Sequence, residues 1–157
     1  MSDSDATTIR FVDEAAGFCA LVSERKPTVE TLRRSLVTLV AAALELRPVE
    51  PTDADHPLTE EIGKATARVV DSVRSALGAA DRYWEVFDPR VREEPVAASL
   101  ADDIGDIFRD LRTGLALHAE GHPADAIWHW RFTFEMHWGD HATDALRALH
   151  RLATDEP

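Results

Sequence analysis

Apolar residues recur at helical spacing along the whole chain, and no segment alternates with period two for long enough to argue a strand. Such a chain has to bury helix stripes against other helices. The fold class it predicts is therefore all-α, a single-domain bundle of about five helices over residues 1–157. At 157 residues and 45% hydrophobic, the chain is long and apolar enough to close one core. Its ends, about 1–6 and 153–157, are acidic and polar and are expected to fray.

The first stripe is Phe11, Ala15, Phe18, Cys19 and Val22; Ser4 or Asp5 can cap its helix, and Lys26-Pro27 stops it. Thr28 caps the second, whose core face reads Val29, Leu32, Leu36, Leu39, Val40, Ala43 and Leu44 until Arg47-Pro48. Pro48 to Pro57 reads as a loop, and Leu58-Thr59-Glu60-Glu61 as the start of a third helix carrying Ile62, Thr66, Val69, Val70, Val73 and Leu77. Arg90 to Ala98 is a further loop. Ser99 opens the fourth helix, with Asp102 in the capping-box position and Leu100, Ile104, Ile107, Phe108, Leu111, Leu115 and His118 on one face. Gly121-His122-Pro123 is a tight break that makes helices four and five an antiparallel hairpin. The fifth helix, from about Ala124 to Leu152, carries Ile127, Trp130, Phe134, Trp138, Ala145, Leu149 and Leu152, with Trp128 and Phe132 off that stripe. Apolar on more than one side, it is expected to be the central helix.

Charge narrows the function. Seventeen Lys and Arg against 29 Asp and Glu give a net charge of −12, which repels phosphate backbones and anionic lipid, so no nucleic-acid or membrane partner is expected. Cys19 is the one cysteine and cannot form an internal disulfide; on an apolar face it reads as a small core residue. No apolar stretch approaches the roughly 20 residues that span a bilayer, and the acidic N-terminus is unlike a signal peptide, so the expected location is the cytoplasm. Arginine supplies nearly all the basic residues, with only Lys26 and Lys64 beside it, a usage that suits a high-GC bacterial genome. Seven glycines form neither GxGxxG nor GxxxxGK, and no Ser/His/Asp arrangement stands out.

Two segments could carry chemistry. Tyr83-Trp84-Glu85-Val86-Phe87-Asp88-Pro89 packs three aromatics into five positions; it reads first as an aromatic plug closing one end of the bundle, with the wall of a ligand pocket as the alternative. On the fourth helix Asp103, Asp106 and Asp110 form an i, i+3, i+7 row, and on the fifth His137, His141 and Asp144 form an i, i+4, i+7 row. In an antiparallel hairpin, residues whose numbers sum to about 243 share a height. Asp106 then faces His137, Asp103 faces His141, and Asp110 lies near Arg131. Two imidazoles one turn apart with carboxylates from the facing helix can hold a divalent ion such as zinc, iron or manganese, through His137, His141, Asp106 and Asp103 or Asp144. The plainer reading is an interhelical polar seam that fixes register. Arg131 and Glu135 make an ordinary i, i+4 pair, and His118, His122 and His129 read as solvated histidines around the turn.

Three runs resemble the bacterial domain-of-unknown-function family 5063: Tyr83 to Pro89, Ser99 to Leu111, and Trp128 to Phe134 leading into His137-Trp138-Gly139-Asp140-His141 and Ala145 to Leu149. The resemblance covers most of the chain and is clearest from Tyr83 to Leu149. Its pattern centres on an aspartate-rich helix and a Trp/Phe-rich helix with Trp-Gly, matched here by Asp102, Asp103, Asp106, Asp110, Trp138 and Gly139. It implies a small all-helical cytosolic bacterial domain and supplies no activity or catalytic residues.

The reading first favoured by the sequence is a non-enzymatic interaction module with no cofactor, whose acidic flank of Asp103, Asp106 and Asp110 meets a basic partner or another copy of itself. The alternative is a metal-dependent, hydrolase-like bundle using the Asp/His rows, with Trp84, Trp130 or Trp138 lining its pocket and Arg131 and Glu135 nearby. A carboxylate-only pyrophosphohydrolase ranks last, because its Glu-x-x-Glu spacing is lacking.

Overall fold

The computed structural model describes residues 3–24, 26–52 and 59–155. Residues 53–58, with Pro57 and the predicted helix start at Leu58, and the side chain of Ser4 lie outside the described residues, as do residues 1, 2, 156 and 157. Helix α1 spans Asp3–Glu24, so Asp5 sits inside its first turn. Helix α2, Val29–Glu45, begins at a reciprocal cap: Thr28 Oγ1 accepts the Thr31 N–H at 3.2 Å, and Thr31 Oγ1 accepts the Thr28 N–H at 2.8 Å. Thr59 caps α3, Glu60–Leu77, and Ser99 caps α4, Leu100–Ala119. Gly121 takes a left-handed φ of 87° at the break, and Pro123 opens the next helix. That last helical rod is continuous from α5, Pro123–Thr133, through a π-helical turn, Phe134–Trp138, to α6, Gly139–Thr154.

Between α3 and α4 the chain makes a 3₁₀ turn, Gly78–Asp81, and a two-stranded antiparallel sheet. Strand β1, Arg82–Glu85, pairs with β2, Val96–Ser99, with Arg82 opposite Ser99 and Glu85 opposite Val96. These strands correct the expectation of helix and loop alone. Four residues each are too few for a period-two pattern to stand out, and half of one strand is alanine. The hairpin is tied to the bundle by buried Asp81, whose carboxylate accepts the Ala101 N–H at 2.7 Å and the Ser99 hydroxyl at 2.9 Å, an anion at a helix N-terminus.

The central helix is α4, not the fifth helix of the sequence reading. It packs against α1, α3, α5 and α6 and buries residues on every side, from Leu100 and Ala101 to Thr113 and Leu117. Glycines make that crowding possible. A Cβ at Gly105 would collide with Val70 Cγ2 on α3, and one at Gly114 with the indole nitrogen of Trp130 on α5. The off-stripe side of α5 instead meets solvent, with Phe132 49% and Met136 67% exposed. Leu44, expected in the core, is 71% exposed, and Leu46 is buried in its place. At 100° per residue Leu44 falls roughly 120° around the helix from Leu32, outside the buried arc that holds Leu36, Leu39 and Ala43. Among the described residues no helix is long and apolar enough to cross a membrane.

Replacing Gly114 by alanine should destabilise the protein by about 1–3 kcal/mol in urea unfolding, because Trp130 is fully buried and its Nε1–H donates to the Leu111 carbonyl at 3.3 Å. Gly63→Ala, with nothing within 4 Å of the new Cβ, should stabilise by about 0.5–1 kcal/mol in the same assay. A destabilised Gly63→Ala, or a neutral Gly114→Ala, would contradict this packing. Burial pushes the Cys19 thiol up to about 12. At pH 8 it should therefore resist iodoacetamide in the folded protein and react once unfolded, as read by intact mass.

Candidate functional site

On α4, positions 103, 106 and 110 turn one face toward the rod, and the structure pairs each with a specific cation or imidazole. Asp103 and Asp110 are buried, 5% and 8% exposed, whereas Asp106 is partly open. The contacts match falling numbers on α4 to rising numbers on the rod. Trp130 bonds Leu111, His137 Nδ1–H donates to Asp110 Oδ2 at 2.7 Å, and His141 Nδ1–H donates to Asp103 Oδ1 at 2.8 Å. Because a carboxylate is acceptor-only, both imidazoles carry their proton on Nδ1 in these bonds. Nε2 is the nitrogen left for another partner. His141 Nε2 lies 3.6 Å from Asp106 Oδ2, and the two rings meet edge to face with centroids 4.8 Å apart. Asp106, His137 and His141 can each offer one ligand atom such that all three lie within 4.8 Å of one another.

Asp103 therefore faces His141 as the height rule expects, but Asp110 rather than Asp106 takes His137. A π turn adds one residue to the rod between Trp130 and His137. Gly139 permits it. The Gly139 N–H closes the turn onto the Phe134 carbonyl, and a Cβ at 139 would strike that oxygen. Among the described residues Arg131 forms no ion pair with Asp110; it donates to the Leu46 carbonyl and sits 3.6 Å from exposed Glu135. His129 Nε2, read as solvated from sequence, lies 3.1 Å from the Asp110 carbonyl. His118 stacks loosely on Trp130, with centroids 6.2 Å apart.

Trp130 and Trp138 are core residues with no exposure; the Trp138 Nε1–H donates to the Trp130 carbonyl at 3.2 Å, so neither lines a pocket. The aromatic segment is not a plug. Trp84 is 72% and Phe87 79% exposed, and with Tyr83 they wall an open cleft of about 710 Å³ between the hairpin and α6. Asp144 lines this cleft and is not among the residues whose ligand atoms converge.

Two residues join the site through contacts that sequence spacing does not show, because their partners are distant in the chain or are set by side-chain reach. The Tyr83 hydroxyl donates to Asp103 Oδ2 at 2.6 Å and so abuts the Asp103–His141 pair. Burial and this carboxylate push the phenol well above its ordinary value. Arg109 pairs with Asp106 Oδ1 at 2.9 Å, occupying one carboxylate oxygen and leaving Oδ2 toward the imidazoles.

The hydrogen bond it donates to Asp103 raises the His141 imidazole above its ordinary 6.5 against the opposing effect of burial, with the negative charges of Asp103, Asp106 and Glu85 adding to it. The stability from this pair is full below pH 6.5 and fades as pH rises through the folded-state value. Asp144 is raised to about 6, first by burial and then by Glu85, Asp103 and Asp140. Its folded value lies above its unfolded 3.8, so its ionisation costs stability from about pH 4 upward and fully above about pH 6. Asp144→Asn should be near neutral at pH 4 and stabilising by roughly 1–2 kcal/mol at pH 7.5, partial solvation reducing the full linkage value. Equal effects at both pH values would refute that assignment.

The fold matches the crystal structure of protein BF1032 from Bacteroides fragilis with a TM-score of 0.81 at 22% identity, covering 98% of this chain and 96% of that one. At that identity the likeness speaks for the fold alone. No curated protein matches the chain. The family model described as a domain of unknown function (DUF5063) matches residues 2–155, essentially the whole chain, and with the aspartate-rich α4 and the Trp-Gly π turn in place the protein belongs to that family.

Proposed function

We propose that this protein is a metal-dependent helical bundle of hydrolase type, binding one divalent ion through His137 Nε2, His141 Nε2 and Asp106 Oδ2. The observation that carries this reading is the pair of buried aspartates behind the imidazoles. Asp110 and Asp103 each hold one Nδ1–H, which fixes the tautomer and orients the ring with the opposite nitrogen outward. A seam built only for register needs one such bond, not two on histidines whose ligand atoms converge with that of a third carboxylate, Asp106. Ligand atoms about 2.0–2.1 Å from a tetrahedral ion stand roughly 3.3 Å apart, and the His141–Asp106 separation of 3.6 Å is close to that.

Two nitrogens and one oxygen form a set used by zinc and by non-haem iron, and manganese is the harder alternative. Three protein ligands leave positions for water and substrate, and His137, His141 and Asp106 are each partly exposed. A bound ion there supplies Lewis-acid polarisation and activation of water. The chain's own contribution is to orient both imidazoles, to hold Asp106 through Arg109, and to keep Asp103 and Asp110 out of water.

The interaction module built on an acidic flank has less support. Two of its three aspartates are buried and turned to histidines, which leaves Asp106 as the one partly open member of the row.

Elemental analysis of tag-free protein should find close to one zinc, iron or manganese per chain. Added to metal-free protein, the preferred ion at about 100 times its Kd should stabilise the fold by about 2.7 kcal/mol. Asp106→Ala, which leaves no buried charge unpaired, should fold and lose that gain; His137→Ala should lose it as well. Binding should weaken as pH falls below the His141 value, since Nε2 must be unprotonated. A folded wild type that takes up no ion and gains no stability from any of the three would overturn the proposal.

A further inference from the structure

We propose that the cleft between the β1–β2 hairpin and α6 binds an organic monocation, an alkylammonium group attached to an apolar body, with Trp84 and Phe87 as its walls and Asp140 and Asp144 as its counter-charge. The cleft is a separate space from the ion site. It encloses about 710 Å³, within the range of small-molecule sites, and its lining includes neither His137 nor Asp106.

Two observations point to the ligand independently. The first is the aromatic wall. Trp84 and Phe87 are among the most exposed large hydrophobic side chains in the protein, and they meet on one concave surface whose opposite side includes Ala148 and Leu152. Leaving such groups in water forgoes the burial of their apolar surface, which a bound apolar body would recover.

The second is acidic charge with no basic side chain in direct contact. Asp140 and Asp144 stand one turn apart on α6, a spacing at which like charges destabilise a helix, and Glu85 lines the cleft with them. Among the described residues no Lys or Arg forms an ion pair with any of the three. The Glu85 carboxylate lies 3.0 Å from the Tyr83 hydroxyl, whose one proton it shares with the closer Asp103.

Aromatic faces and carboxylates together select an alkylammonium over a hydrated metal ion, because only the organic cation gains from the ring faces. Further along α6 come Arg147 and Arg151, the latter bonded to Asp155 at 2.7 Å, and Arg82 lines the opposite side. These arginines, Arg147 being one turn beyond Asp144, leave the lining only slightly negative and disfavour a second positive charge on a ligand. A monocation with an apolar tail therefore fits, and a polyamine does not.

The probe is phenethylammonium, titrated into ¹⁵N-labelled protein at pH 7.5, with the Trp84 indole and Thr143 amide signals as readout. Saturable shifts of both are expected, with affinity falling about tenfold or more in Trp84→Ala and in the Asp140→Asn/Asp144→Asn double variant. The double variant removes like-charge repulsion and so should stay folded, which the same spectra show. The neutral isostere 2-phenylethanol and the polycation spermidine should each bind about tenfold more weakly than phenethylammonium. No saturable shift up to about 10 mM, equal binding of the alcohol, or unchanged affinity in the double variant would overturn the proposal. Displacement of the probe by magnesium at equal concentration would also overturn it, assigning the carboxylates to an inorganic ion.

Discussion

The structure depends on α4 being able to touch a neighbour on every side. A helix in that position cannot carry large residues all round, because the facing helices would be held too far apart to exclude water. Gly105 and Gly114 remove side chains where Val70 and Trp130 arrive, so α3 and α5 close onto α4 from two directions. The aromatic bulk around it comes from the neighbouring helices: Phe11 of α1 packs on Trp130 with centroids 4.9 Å apart, and Phe134 packs on Trp138 at 4.6 Å. Central placement also fixes the polar chemistry. The flank of α4 that faces the rod carries Asp103 and Asp110 into low-dielectric surroundings, where a carboxylate needs hydrogen bonds to stay charged.

His137 and His141 supply those bonds, and the bonds in turn decide what the histidines can do. A neutral imidazole that donates from Nδ1 presents a lone pair at Nε2 and nothing else. The interhelical seam and the candidate ion site are thus two aspects of one set of bonds. Structural pairing of the aspartates is what readies the opposite nitrogens as ligands. The same electrostatics reach into the neighbouring cleft, where Asp103 and Glu85 join Asp140 in disfavouring the charged form of Asp144.

Much of the candidate site was legible in the sequence. The i, i+4 histidines and the i, i+3, i+7 aspartates could be placed on two facing helices from spacing alone, and the match of Asp103 to His141 comes from the short break at Gly121. The match of His137 did not. Asp106 stands in the same cluster as His137, but the hydrogen bond goes to Asp110 one turn further along α4, a choice of side-chain reach that 100° arithmetic has no means of registering. Trp138-Gly139 was visible as a motif, but a glycine beside a tryptophan reads as close packing until the Phe134 carbonyl beneath it is seen. Tyr83 and Arg109 were missed for a simpler reason. Tyr83 meets Asp103 across a hairpin that periodicity could not detect, and Arg109 reads as an ordinary i, i+3 surface pair of Asp106 until the histidines give that carboxylate a role.

By itself the sequence determined the all-α class, the helix boundaries that rest on local caps and breaks, the buried stripes, and the pairing of acidic with imidazole-bearing helices. These rest on short-range geometry: 3.6 residues per turn, a hydroxyl at an N-cap, a proline without an N–H. Only the tertiary structure decided which helix is central, that Trp84 and Phe87 face a cleft while Trp130 and Trp138 fill the core, and that Asp103 and Asp110 are buried rather than displayed. An apolar stripe reports that it must be covered but not by what. Burial is a property of the neighbours a residue acquires, and those neighbours lie tens of residues away along the chain.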